Sequence, residues 1–265
     1  MNFIDHLDIL RKHIIRSLAS VIIFAIAIFI FRDWIMDHII SAPISKDFIS
    51  YRLLCELGYK LNLKNVLCLP PLEISMQSTT FGGQFLTSIN LSLIGGLIVA
   101  FPYVFWEFWR FVKPGLTSKE IKHTRFIIFW VSFFFFSGAL FGYFVLGPFT
   151  FNFLGNFQIG TKNLIKNIPT FTDYIENLTN LILGCGIAFE LPVIAVLLTK
   201  IGIITPNFLI KYRKYAIIII LLLAAFITPS PDWISQLIVF LPLMFLYELS
   251  VVLSKKYYKE TLDDI

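Results

Sequence analysis

The chain has 265 residues, of which 57% are hydrophobic, 17% aromatic and only 15% charged. Soluble domains carry about 25% charged residues, and 29 Phe are more than one soluble core can hide. A mean hydropathy of +0.78 argues against disorder, a disulfide-stapled secreted domain and an ordinary soluble enzyme. The composition is that of a polytopic membrane protein.

The net charge is +5 and the pI about 9.0. In a soluble protein that would favour nucleic acid. Here basic residues more simply hold loops on the cytoplasmic side, and no nucleic-acid partner is expected. None of the three cysteines forms a CxxC pair, so no metal site is expected. Cys55 and Cys68 share one loop. Their spacing permits a disulfide if that loop lies outside, and chance explains it equally well.

A helix needs about 20 apolar residues to cross ~30 Å of hydrocarbon. In chain order the candidates are 14–31 (interrupted only by Arg16), 85–108, 126–146, which is nearly all Phe, Ile and Val, and 174–198, which carries Glu190. Two shorter runs follow, 216–228 and 233–253, separated by the turn residues Pro229-Ser230-Pro231-Asp232. The expectation is one all-α integral membrane domain over 1–265 with six transmembrane helices. No cleavable signal peptide is expected before the first span. Tyr51–Leu63 reads as a short amphipathic helix on the outer surface.

Six spans put both termini on one side. Fifteen of the 22 Lys and Arg residues fall at the N-terminus, the C-terminus and the two connections that share their side. Both termini are therefore expected to be cytoplasmic. The fifth span, at 13 residues, reaches roughly 20 Å. Short fifth and sixth helices imply either a locally thinned bilayer or helices that extend into their loops.

Polar residues inside apolar spans each need a reason, because a charge there costs at least ~2.5–3.5 kcal/mol. Glu190 is deep in the fourth span. Pro192 cannot donate to the carbonyl of Ala188 and should bend the helix there. The carboxyl either lines a polar groove or contacts a partner helix, or else satisfies a freed carbonyl as a neutral acid. Glu107, between Trp106 and Phe108, reads as interfacial. Thr117-Ser118-Lys119-Glu120 matches a capping box, and Glu120 could equally pair with an incoming Arg. Asp8 has helix-surface spacing to Arg11 and Lys12. Asp232 reads as a cap on the outer side. Gly138 and Gly142 form a GxxxG that permits close packing. HExxH, GxSxG and P-loop patterns are absent and the four histidines do not cluster, which favours binding or transport over an enzyme.

These residues together resemble the TatC family, the six-span core subunit of the twin-arginine protein translocase. The elements are His6-Leu7-x-x-Leu10-Arg11, Ser41-Ala42-Pro43, then Pro102, Glu107, Trp109, Phe111, Pro114, Leu116 and Glu120, then Phe189-Glu190-x-Pro192, Thr228-Pro229-Ser230-Pro231-Asp232, Ser235-Gln236, Pro242 and Tyr247-Glu248. The resemblance implies a concave bundle acting as receptor for folded proteins whose signal peptide carries an Arg pair. It implies signal-peptide-binding positions at Glu120, Asp8, Glu107 and Phe111, and an intramembrane groove or partner site at Glu190 and Pro192. An outer-turn acid falls at Asp232.

The family reads His-Leu-x-Glu-Leu-Arg at its N-terminus, whereas here Ile9 stands at the Glu position and the nearest acid is Asp8. Implied partners are single-span TatA/TatB-type subunits, Arg-Arg signal peptides, the lipid bilayer and further copies of the chain. The implied energy source is the proton-motive force, with no cofactor. A bacterial inner membrane is expected ahead of an organellar one. A small-solute or ion transporter is the competing reading, because six spans and an intramembrane acid fit it as well.

Overall fold

The computed structural model describes residues 3–45, 48–60, 76–115, 126–157, 168–229 and 233–263. Among these the regular structure is helical, apart from an isolated parallel bridge between Gln77 and Thr170. The helices are α1 (Phe3–Ile30), α2 (Arg32–Ile35), α3 (Ile49–Lys60), α4 (Gly83–Val112), α5 (Ile127–Phe141), α6 (Gly147–Asn156), α7 (Phe171–Ala188), α8 (Leu191–Lys200), α9 (Pro206–Lys211), α10 (Arg213–Ile227) and α11 (Trp233–Asp263).

Five helical segments are long and apolar enough to cross a membrane: Leu7–Ile30, Gly83–Gly115, Ile127–Asn156, Phe171–Lys200 and Trp233–Lys256. Helix α10 has 15 residues and reaches about 22 Å, short of ~30 Å of hydrocarbon, as the sequence leads one to expect. The sixth segment departs from expectation. It is not short but a continuous 31-residue helix that extends beyond the apolar run, where no Gly or Pro follows Leu253 to stop it. The helix expected from Tyr51 begins at Ile49, and the described residues follow it to Lys60.

Local chemistry explains the breaks. Helix α1 holds no Gly or Pro and runs uninterrupted. Helix α4 starts after Gly82, whose φ of +76° suits only glycine without strain. Between α5 and α6 the chain widens into a π-helical turn, Gly142–Leu146, closed by the Gly147 amide on the Gly142 carbonyl. The wider turn comes just before Pro148, which has no amide to donate and would clash in a regular helix. A second π turn, Met36–Ile40, likewise precedes Pro43.

The Pro192 bend is also present. Helix α7 ends at Ala188 and α8 begins at Leu191, with Phe189 and Glu190 as the tight connection. There the Glu190 amide bonds the Ile187 carbonyl at 3.1 Å, and the Glu190 carbonyl opens the next helix by accepting from Ile194 at 3.0 Å.

Helix α7 is the centre of the bundle. Its Ile175, Leu178, Leu181 and Cys185 are almost completely buried with Leu146, Ala224, Val239 and Leu243. The span containing it is 44% buried, against 6% for the α1 span, so α1 is peripheral and largely lipid-facing. Small residues set the closest approaches. A Cβ on Gly142 would stand 2.7 Å from the Leu181 carbonyl oxygen, and one on Gly138 would collide with the Cys185 carbonyl. The GxxxG therefore packs backbone on backbone against α7. Gly96 does the same on the other side, where a Cβ would lie 2.7 Å from the Ala25 nitrogen. It seats α4 antiparallel to α1, and the Phe29 ring meets Phe85 at 6.3 Å further along.

At the end opposite His13, tyrosine hydroxyls bond the carbonyls of one segment. Tyr143 donates to Ile39 (2.6 Å), Tyr174 to Ile40 (2.5 Å) and Tyr51 to Pro43 (2.7 Å). Cys55, in α3, is disulfide-bonded, whereas Cys185 is free and buried. Cys68 lies outside the described residues.

Candidate functional site

The α1–α4 seam gathers a polar cluster at the end where α1 begins and α4 finishes. Tyr103, Glu107 and Phe111 follow one another at i, i+4 spacing on α4, and Arg110 is one turn past Glu107. The Glu107 side chain is 1% exposed. Its Oε2 is paired with His13 Nδ1 from α1. Its Oε1 accepts from the Tyr103 hydroxyl at 3.1 Å and lies 3.7 Å from the Arg110 guanidinium. The Phe111 ring packs edge-on to His13 at 6.3 Å.

A buried carboxylate is tolerated only when its lone pairs are satisfied, and here side chains on two helices do that. To the interfacial reading of Glu107 the structure adds that its carboxyl is enclosed between α1 and α4. The helix pairing turns it inward, because α1 presents His13 at its level.

Beside this cluster lies an apolar cavity of about 350 Å³ lined by Leu10, Ile14, Leu18, Val104, Phe108 and Phe111. At the opposite end a cavity of about 270 Å³ is lined by polar groups that include Arg32, Asp33, Gln77 and Gln84.

Asp8 is an exposed member of an ordinary helix-surface pair with Arg11 at 3.3 Å, and it is not among the partners of Glu107. Glu190 is buried at the α7–α8 connection, and its Oε1 has no hydrogen-bond partner among the described residues. Pro192 is buried immediately after it. Glu120 and Asp232 lie outside the described residues.

Sequence reasoning missed His13, Tyr103 and Arg110 as partners of Glu107. The i, i+4 spacing of Tyr103 and Glu107 was a usable signal. The His13 contact was not legible, because it depends on the register of two helices distant in sequence. Among the described residues no group of three His, Cys, Asp or Glu side chains converges to hold a metal ion.

Fold and site define a class: a multi-pass, lipid-embedded helical protein with one buried acid, Glu107, held between two helices and another, Glu190, at a helix break. The family described as Sec-independent protein translocase protein (TatC) matches residues 5–242. The chain is 41% identical over 257 residues to the Sec-independent protein translocase protein TatC of Blattabacterium sp. subsp. Periplaneta americana (strain BPLAN), covering 96% of this chain and 95% of that relative. It is 33% identical over 253 residues to the TatC of Desulforapulum autotrophicum, covering 94% and 83%. It superposes on the crystal structure of the twin-arginine translocase receptor TatC with a TM-score of 0.70 at 32% identity, covering 95% of this chain and 99% of that one. The chain belongs to the TatC family. It is a multi-pass membrane component of a protein translocase, not an enzyme.

Proposed function

We propose that this protein is the signal-peptide receptor and core of a twin-arginine translocase in a bacterial inner membrane. It forms one integral domain with six spans and both termini in the cytoplasm. It binds Arg-Arg signal peptides of folded cargo and works with single-span TatA/TatB-type subunits in export driven by the proton-motive force.

The observation that carries this reading is the Glu107 cluster. It closes the α1–α4 seam at the basic end of the bundle and sets Phe111 beside an apolar cavity, so a signal peptide can seat there next to exposed acids whose carboxylates select a guanidinium fork over an ammonium. Glu120, Asp8, Glu107 and Phe111 form the peptide-binding rim, with Glu120 as the principal acid. Asp8 serves where Ile9 has displaced the family Glu, because its exposed pair with Arg11 exchanges readily for a peptide arginine. Glu190 and Pro192 form the intramembrane contact for partner subunits, supported by the carboxyl oxygen left unpartnered there. Asp232 caps the outer turn.

Photocrosslinking in membranes tests the proposal, with a probe beside the Arg pair of a signal peptide and a Lys-Lys peptide as control. Crosslinks near Glu120 that disappear with Lys-Lys and with Glu120→Ala are expected. Loss with Asp8→Ala would assign Asp8 the N-terminal role. Equal crosslinking by both peptides, with partner subunits present, would overturn the reading of this chain as the subunit that recognises the Arg pair.

A further inference from the structure

Two cations meet two aromatic rings on one flank of the α1–α4 seam. Tyr103, Trp106 and Arg110 recur at helical spacing along one face of α4. The Arg110 guanidinium stands 4.9 Å over the Trp106 ring, and that ring is 5.3 Å from Tyr103. Arg16 lies one turn past His13 on α1, as Tyr103 lies one turn before Glu107 on the antiparallel α4, so the His13–Glu107 contact puts Arg16 at the level of Tyr103 and brings the two cations to one end of the seam. All four side chains are open to the surroundings, with Tyr103 and Trp106 each 37% exposed.

The charges do not cancel. Glu107 is the one carboxylate paired in this cluster among the described residues, and it is already occupied by His13 and Tyr103. Its 3.7 Å separation from Arg110 exceeds a hydrogen bond, so the guanidinium keeps free donors. Arg16 has no carboxylate partner among the described residues. It nevertheless sits inside the apolar stretch Leu7–Ile30, where an uncompensated charge is costly. Below the cations the same face becomes apolar. Val99 is one turn before Tyr103 on α4, Ile23 is two turns past Arg16 on α1, and both are exposed.

We propose that this flank is a binding site for an anionic phospholipid, with its phosphate between Arg16 and Arg110 and an acyl chain along Ile23 and Val99. Guanidinium forks match phosphate oxygens. Trp and Tyr settle at the headgroup level, and basic pockets between spans hold anionic headgroups. A soluble phosphate would satisfy the cations but leave the apolar track uncovered, which is why a lipid is the occupant. The site does not depend on signal-peptide recognition.

The test is native mass spectrometry of the full chain in detergent, titrated with phosphatidylglycerol, phosphatidylcholine of the same acyl chains, or inorganic phosphate. Preferential retention of phosphatidylglycerol is expected. Arg16→Gln should weaken it about fivefold, and Arg16→Lys should restore part of the loss. Trp106→Leu should weaken it as well. Lys214→Gln, an exposed cation at the same end of the bundle, should leave it unchanged. Arg16 is exposed and has no carboxylate partner among the described residues, so its replacement leaves the fold intact, which an unchanged unfolding temperature without lipid would verify. Equal retention of the two lipids, displacement by inorganic phosphate, or full retention by Arg16→Gln would each overturn the proposal.

Discussion

His13 and Glu107 are joined across the α1–α4 seam, imidazole to carboxylate, although 94 positions separate them in the chain. The contact closes the end of a helix pair whose middle is set by Gly96 against Ala25. It fixes the rotation of α4 and thereby the direction of Phe111 and the flank carrying Trp106 and Arg110.

This pair should be energetically coupled. In a double-mutant cycle of His13→Ala and Glu107→Gln, the interaction is expected to be about 1 kcal/mol, typical of a polar contact between membrane helices. Thermal unfolding of the four proteins in detergent measures it. Additive single-variant losses would mean that the contact does not hold the seam.

The backbone contact of α5 with α7 admits no side chain. Gly142→Leu should cost more than about 3 kcal/mol or prevent accumulation, because even its Cβ meets the Leu181 carbonyl oxygen at 2.7 Å. Gly115→Ala, whose Cβ would meet no atom of the described residues within 4 Å, should stay within about 0.5 kcal/mol of the parent. Membrane abundance and unfolding temperature of the two variants provide the comparison.

Glu190 is expected to trade stability for function. Its buried Oε1 has no partner among the described residues, so Glu190→Leu should raise stability by roughly 1 kcal/mol. Export of an Arg-Arg reporter should fall in the same variant, since the carboxyl is the proposed partner contact. A variant that is both destabilised and fully active would contradict both halves of that statement.

Tyr51 ties the segment that carries Pro43 through its hydroxyl, and burial pushes its phenol up to about 12. The neutral form is the one that folding favours. Its contribution should therefore be complete below about pH 10, the ordinary tyrosine range, and be lost as pH rises through about 12. Tyr51→Phe should cost roughly 0.5–1.5 kcal/mol at neutral pH and flatten the alkaline fall in unfolding temperature.

Much of the fold was legible in the chain because membrane spans depend on composition over a long window, which neighbours barely alter. The apolar spans, the short fifth helix, the break at Pro192 and the GxxxG contact all follow from local chemistry. The length of the last helix was misjudged for a related reason. Hydropathy marks where a span leaves lipid, whereas helix propagation adds residues beyond that point at little cost.

The sequence by itself determined that this chain lives in a bilayer, that its cations crowd one side, and that Glu190 lies at a break within a span. Only the tertiary structure decided that Glu107 turns inward to His13, that Arg16 comes to the level of Tyr103, and that the hydroxyls of Tyr51, Tyr143 and Tyr174 share one segment at the far end of the bundle. The physical reason is register. Composition and periodicity specify which face of a helix is apolar. Which residue meets which across two helices depends on where glycines let the backbones approach, and that is settled only when both helices are packed.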